Sequence, residues 1–134
     1  MTTEPFLRPR PVDPLDVPAR LDELRLLKDG WFEGHGSAPT ATGIDWLSDR
    51  FTRTYPEDLP LPFVYPTPDG GIRLEWSLEP HDITLDIDLA KHTASLHELN
   101  LASDEDQEEK LNLDEPAGWG RLIEQIQKAT EGSS

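Results

Sequence analysis

The chain has 134 residues, a formal net charge of −15 and no cysteine. That length fits a single domain with one core. The charge argues against binding nucleic-acid phosphate or anionic membrane, and the absence of thiols excludes disulfides and thiolate zinc sites.

Residues 1–15 are broken by proline and are expected to form an extended arm. They lack the apolar centre of a signal peptide, and no run in the chain reaches membrane-spanning length. A cytoplasmic protein is expected, with one domain over residues 16–130 and a frayed tail at 131–134. Asp16 is placed to cap a helix with Pro18 in its first turn. Leu21, Leu24 and Leu27 form its apolar stripe, and Asp29-Gly30 ends it.

A glycine-rich loop follows, GWFEGHGSAP from Gly30 to Pro39. Its two aromatics have two readings. Either Trp31 or Phe32 plugs the core while the glycines permit a sharp path, or the loop contacts a ligand with Trp31 and with His35 as its polar tip. No phosphate-loop spacing is present. Thr40 or Thr42 opens a second helix that Pro56 stops, with Ile44, Leu47, Phe51 and Tyr55 on one stripe. Trp46 lies off that stripe. It is either covered by a neighbouring loop or exposed as an anchor for a partner.

Phe63-Val64-Tyr65 reads as an edge strand between two prolines. Pro68-Asp69-Gly70-Gly71 is a turn. It leads into alternating Ile72, Leu74, Trp76 and Leu78, then into alternating Ile83, Leu85, Ile87 and Leu89. Period two puts these side chains on one sheet face. A four-residue turn at Glu79-Pro80-His81-Asp82 sets Leu78 against Ile83. On the polar face it sets Ser77 against Thr84, Arg73 against Asp88 and Glu75 against Asp86. Opposed carboxylates disfavour strand pairing, so this face is either simply solvated or a docking surface for something basic.

The next strand begins near Ala94. Ala94 and Leu96 suit the core, while Leu99 and Leu101 have the opposite parity, which suggests a bulge near Glu98. The acidic tract from Ser103 to Glu109 reads as a solvated connection. Lys110 to Leu113 is a short strand with Leu111 and Leu113 inward. Asp114 and Pro116 start a last helix with Trp119, Leu122, Ile123 and Ile126 buried. The predicted fold is α+β: two N-terminal helices, a four- to five-stranded antiparallel meander and one C-terminal helix, with the helices on one sheet face.

The loop GWFEGHGSAP, and the later run YPTPDGGIRLEW from Tyr65 to Trp76, resemble a group of small bacterial α+β proteins. These carry a GWxxGxGxAP-like loop and a PTPxGGxxxEW hairpin. The resemblance spans roughly residues 24–101. It implies the same fold class and a bacterial or phage setting, and it brings no activity with it.

No catalytic or cofactor motif is present. The histidines His35, His81, His92 and His97 form no metal-binding pair, and Glu75, Asp86 and Asp88 lack a loop to wrap a cation. No metal and no cofactor are expected. The polar face of Arg73, Glu75, Ser77, Thr84, Asp86, Asp88 and His97 instead favours a basic protein partner, without nucleic acid or membrane. The expected function is an inhibitory, immunity or antitoxin-type binding module. One alternative is a small hydrolase-like enzyme using His97 or His35 with Asp86 or Glu75, for which Ser77 and Ser95 are the nearby serines. Others are a DNA-mimic inhibitor and a structural accessory subunit.

Overall fold

The computed structural model describes residues 16–132. The expected N-terminal arm, residues 1–15, lies outside them, as do Ser133 and Ser134. The chain runs α1 (Val17–Leu24), α2 (Ala41–Thr54), β1 (Phe63–Pro66), β2 (Ile72–Leu78), β3 (His81–Asp88), β4 (Thr93–Asn100), β5 (Asp106–Asn112) and α3 (Pro116–Gly132). The five strands form one antiparallel meander in sequence order. Two N-terminal helices, an antiparallel sheet and a C-terminal helix make this an α+β fold.

Local chemistry sets the helix ends. The Asp16 carboxylate accepts from Ala19 N at 3.1 Å, and the Thr40 hydroxyl accepts from Gly43 N at 3.0 Å. Each satisfies an amide that the first turn leaves free. The first helix is shorter than expected. After Leu24 the amides of Arg25, Leu26 and Leu27 bond back three residues rather than four, so the last turn tightens and stops well before Gly30. Arg25 then ties α1 to α2 by reaching Asp45 at 2.5 Å. At the other end of the chain, α3 continues through Gly132, two residues past the predicted limit.

One sheet face carries the core. Ile72, Leu74, Trp76, Ile83, Leu85, Ile87, Ala94, Leu96 and Leu111 are all buried there, against Leu21, Ile44, Leu47, Phe51, Trp119, Leu122 and Ile126 of the helices. Each fully buried Leu or Ile contributes roughly 1.5–3 kcal/mol by leaving water. The polar groups of Trp119, Trp76 and Tyr55 are met, whereas the buried Trp46 Nε1 has no hydrogen-bond partner among the described residues. Trp119 Nε1 donates to Leu113 O at 2.8 Å. Trp76 Nε1 donates to Tyr55 Oη and to Pro60 O, each at 3.0 Å. The Tyr55 hydroxyl itself donates to Pro60 O. Burial pushes the Tyr55 phenol up to about 12, against a smaller opposing effect from the Trp76 hydrogen bond.

Three expectations about the strands are overturned. The β2–β3 turn has two residues, Glu79 and Pro80 (joined by a cis peptide), not four. Leu78 therefore faces His81, Trp76 faces Ile83 and Leu74 faces Leu85. No bulge occurs near Glu98, because the β3–β4 ladder is regular from Thr93 to Asn100. Glu98 stays on the core side at the sheet's end, with its carboxylate 2.6 Å from His81 Nδ1 and accepting from Gln125 Nε2. Leu99 and Leu101 are left exposed. The acidic tract is largely strand rather than connection, since Asp106 to Glu109 pair with Leu99 to Leu96. Glu109 points to the helical side and meets Arg121 Nε of α3 at 2.9 Å.

Trp46 is partly buried, and what covers it comes from far along the chain. The His92 ring stacks on it at 3.8 Å with planes 4° apart, and the Arg50 guanidinium sits 5.9 Å from its ring centroid. The exposed-anchor reading of Trp46 is thereby excluded. His92 Nδ1 lies 2.8 Å from Asp114 Oδ1, so the carboxylate expected to cap α3 instead orients this imidazole.

Candidate functional site

Strand parity assembles the polar face in rows. Tyr65, Arg73, Asp86, Ser95 and Lys110 are successive neighbours across the five strands. Phe63, Glu75, Thr84, His97 and Glu108 form the next row. Ser77, Asp82, Leu99 and Asp106 form a third. Among the described residues no helix lies on this side, and it holds the carboxylates of Glu75, Asp82, Asp86, Asp88, Asp106 and Glu108 and two cations, Arg73 and Lys110.

The expected opposition of Glu75 to Asp86 does not exist. The two-residue turn moves each partner along by two, so Arg73 faces Asp86 and Glu75 faces Thr84. Arg73 Nε and Nη2 donate to the two Asp86 oxygens at 2.6 and 3.2 Å. That bidentate contact holds the guanidinium above its ordinary pKa. Glu75 is left with only the edge of this pair, 3.9 Å from Arg73 Nη1. Ser77 faces Asp82, with its hydroxyl 3.4 Å from Asp82 Oδ1.

The other predicted residues divide between this face and the scaffold. Asp88, expected opposite Arg73, caps the β3–β4 turn: its Oδ1 accepts from Ala90 N at 2.9 Å and Lys91 N at 3.0 Å. Thr84 and His97 are direct cross-strand neighbours. His97 Nε2 is 3.9 Å from Asp106 Oδ2, so the imidazole leans toward β5 and not toward Asp86. Glu75, Asp86 and Asp88 do not gather at one point, and no group of three His, Asp or Glu among the described residues is arranged to hold a metal ion.

At the Asp88 end the face hollows into an open groove of about 680 Å³. Tyr65, Arg73, Glu75, Asp86, Ser95 and Lys110 line it, and the turn Thr67-Pro68-Asp69 closes one end. That turn is locked from within. The Thr67 hydroxyl donates to the Asp69 carboxylate, and both accept from Gly71 N. These contacts, the Thr67 hydroxyl first, lower the Asp69 carboxyl below its ordinary range. Gly71 is required here, since a Cβ would stand 2.6 Å from Ile87 O.

The glycine-rich loop packs on the outside of the same turn. Ser37 N donates to Pro68 O at 2.7 Å, and Ser37 bridges to Asp69. The two motifs that carried the family resemblance are therefore in contact. Neither loop aromatic plugs the core. Trp31 is half-buried, donating from Nε1 to Ser37 O at 2.9 Å, and Phe32 is exposed. Phe32 and His35 exchange two backbone hydrogen bonds around a tight turn, which leaves His35 pointing outward, away from the groove lining.

One part of the site was missed in the sequence. Leu61, Phe63 and Tyr65, spaced two apart, are each 41% exposed on the polar side of the β1 edge. The Phe63 and Tyr65 rings stack at 6.5 Å. Their i, i+2, i+4 spacing places them on one face, but the flanking prolines mark only an edge strand and do not say which face its aromatics take. No protein-family model, no curated protein and no solved structure matches this chain.

Proposed function

We propose that the chain is an acidic binding module that docks a basic protein through the open polar face of its sheet, in an inhibitory, immunity or antitoxin-type role within the bacterial cytoplasm. The observation that supports this reading is the division of labour in the sheet. Among the described residues the three helices cover one side, and the other side, free of helices, carries six carboxylates against two cations. Such an excess accelerates encounter with a basic surface and rejects acidic ones. The hydrolase-like alternative draws less support, because neither His97 nor His35 lines the groove.

The test uses the full chain and a face variant, Glu75→Gln with Asp82→Asn and Glu108→Gln. Both are immobilised and exposed to host lysate at low and at high salt. A basic protein retained at low salt, released at high salt and lost with the variant supports the reading. If a partner is retained equally by the variant, docking through this face is wrong. Arg73 and Asp86 are left intact so that the ladder is not weakened.

A further inference from the structure

The face has a chemical polarity that its net charge conceals. Along β1 it is aromatic and apolar. Along β2 and β3 it is charged, and Asp86 already has its arginine. The carboxylate beside the aromatics is Glu75. It is the direct cross-strand neighbour of Phe63, and it lines the groove together with Tyr65. Its own contact, to Arg73 Nη1 at 3.9 Å, is too long for a hydrogen bond. Two stacked, half-exposed rings therefore stand next to an acceptor with free oxygens. A planar cation matches both: it lays its face on a ring and its N–H edge on a carboxylate. An ammonium matches only the second. The bidentate pair of Arg73 with Asp86, one strand step away, shows that this surface can hold a guanidinium against a carboxylate.

Resting on the docking reading above, we infer that Phe63, Tyr65 and Glu75 seat an arginine side chain from the partner protein. The remaining carboxylates supply attraction without position. Arginine, not basic charge in general, is then what the partner must present at the β1 side of the groove.

The experiment titrates the isotope-labelled chain with a blocked Gly-Arg-Gly-Arg-Gly peptide, and separately with its lysine counterpart, following backbone amides by NMR at low salt. The arginine peptide should shift the amides of Phe63, Tyr65 and Glu75 first and bind about two- to fivefold more tightly than the lysine peptide. Glu75→Gln and Phe63→Ala should each remove that preference, while Tyr65→Phe keeps it. Dispersed spectra of the variants establish that they fold. If the two peptides bind alike and shift Asp82, Asp86 and Asp88 instead, the arginine seat is wrong and the basic-partner reading stands. If neither peptide shifts any amide of the polar face, both are wrong.

Discussion

The strand register makes a prediction that stability measurements can settle. Arg73 and Asp86 lie directly opposite each other on the paired strands β2 and β3 and share two hydrogen bonds. Their side chains are 44% and 42% exposed, so water screens the pair substantially. Exposed ion pairs couple by ~0.2–1 kcal/mol, and good bidentate geometry places this one at about 0.5–1 kcal/mol. The measurement is a double-mutant cycle: Arg73→Ala, Asp86→Ala and the pair, each unfolded in urea at low salt. The coupling should fall markedly at 1 M salt, where the screening length is about 3 Å. Asp86→Asn alone should destabilise. Had Asp86 opposed Glu75, the same change would relieve repulsion and stabilise. A more stable Asp86→Asn would refute the register and with it the assignment of Glu75 as the free acceptor.

Two glycines in α3 should respond with opposite signs. A Cβ at Gly118 would stand 2.1 Å from Asn112 O, whereas one at Gly120 meets nothing within 4 Å. Gly120→Ala should stabilise by about 0.5–1 kcal/mol through helix propensity, and Gly118→Ala should cost about 1–3 kcal/mol through overlap with backbone; thermal unfolding of the two variants decides. The buried Tyr55 phenol gives an alkaline limit. Its folded pKa, about 12, lies above the ordinary 10.0. The folded state thus holds its proton longer than the unfolded state, and this contribution is complete below pH 10 and lost as pH rises to about 12. Phenolate absorbance should show one tyrosine titrating near 12 with the fold intact, and Tyr55→Phe should remove that step.

Much of the architecture was legible because side-chain period two and helical stripes depend on local sequence alone. Ile72 to Leu78 and Ile83 to Leu89 announce a shared buried face whatever their partners are. The register was not legible for the same reason. Sliding β3 by two residues leaves every apolar side chain on the same face and changes only which charges meet, so alternation cannot detect the slip. The turn length decides it, and Pro80 fits a turn of either size. The strand character of Asp106 to Glu109 was hidden because its helix-facing positions hold Gln107 and Glu109, the latter neutralised by Arg121 from α3 rather than by apolar burial. Trp46 was ambiguous because its cover, His92, is distant in sequence and belongs to a different turn.

The sheet has two outer borders, and they resist extension by another chain for different reasons. β1 follows Pro62 and ends on Pro66, neither of which has an amide proton to offer a neighbouring strand. β5 has amides but exposes Asp106, Glu108 and Glu109 along its length. A second copy laid beside β5 would bring like charge against like charge. Proline protects under every solvent condition, whereas charge protects only while the carboxylates are ionised and poorly screened. Acid or concentrated salt therefore weakens the protection of β5 and leaves the proline protection of β1 unchanged.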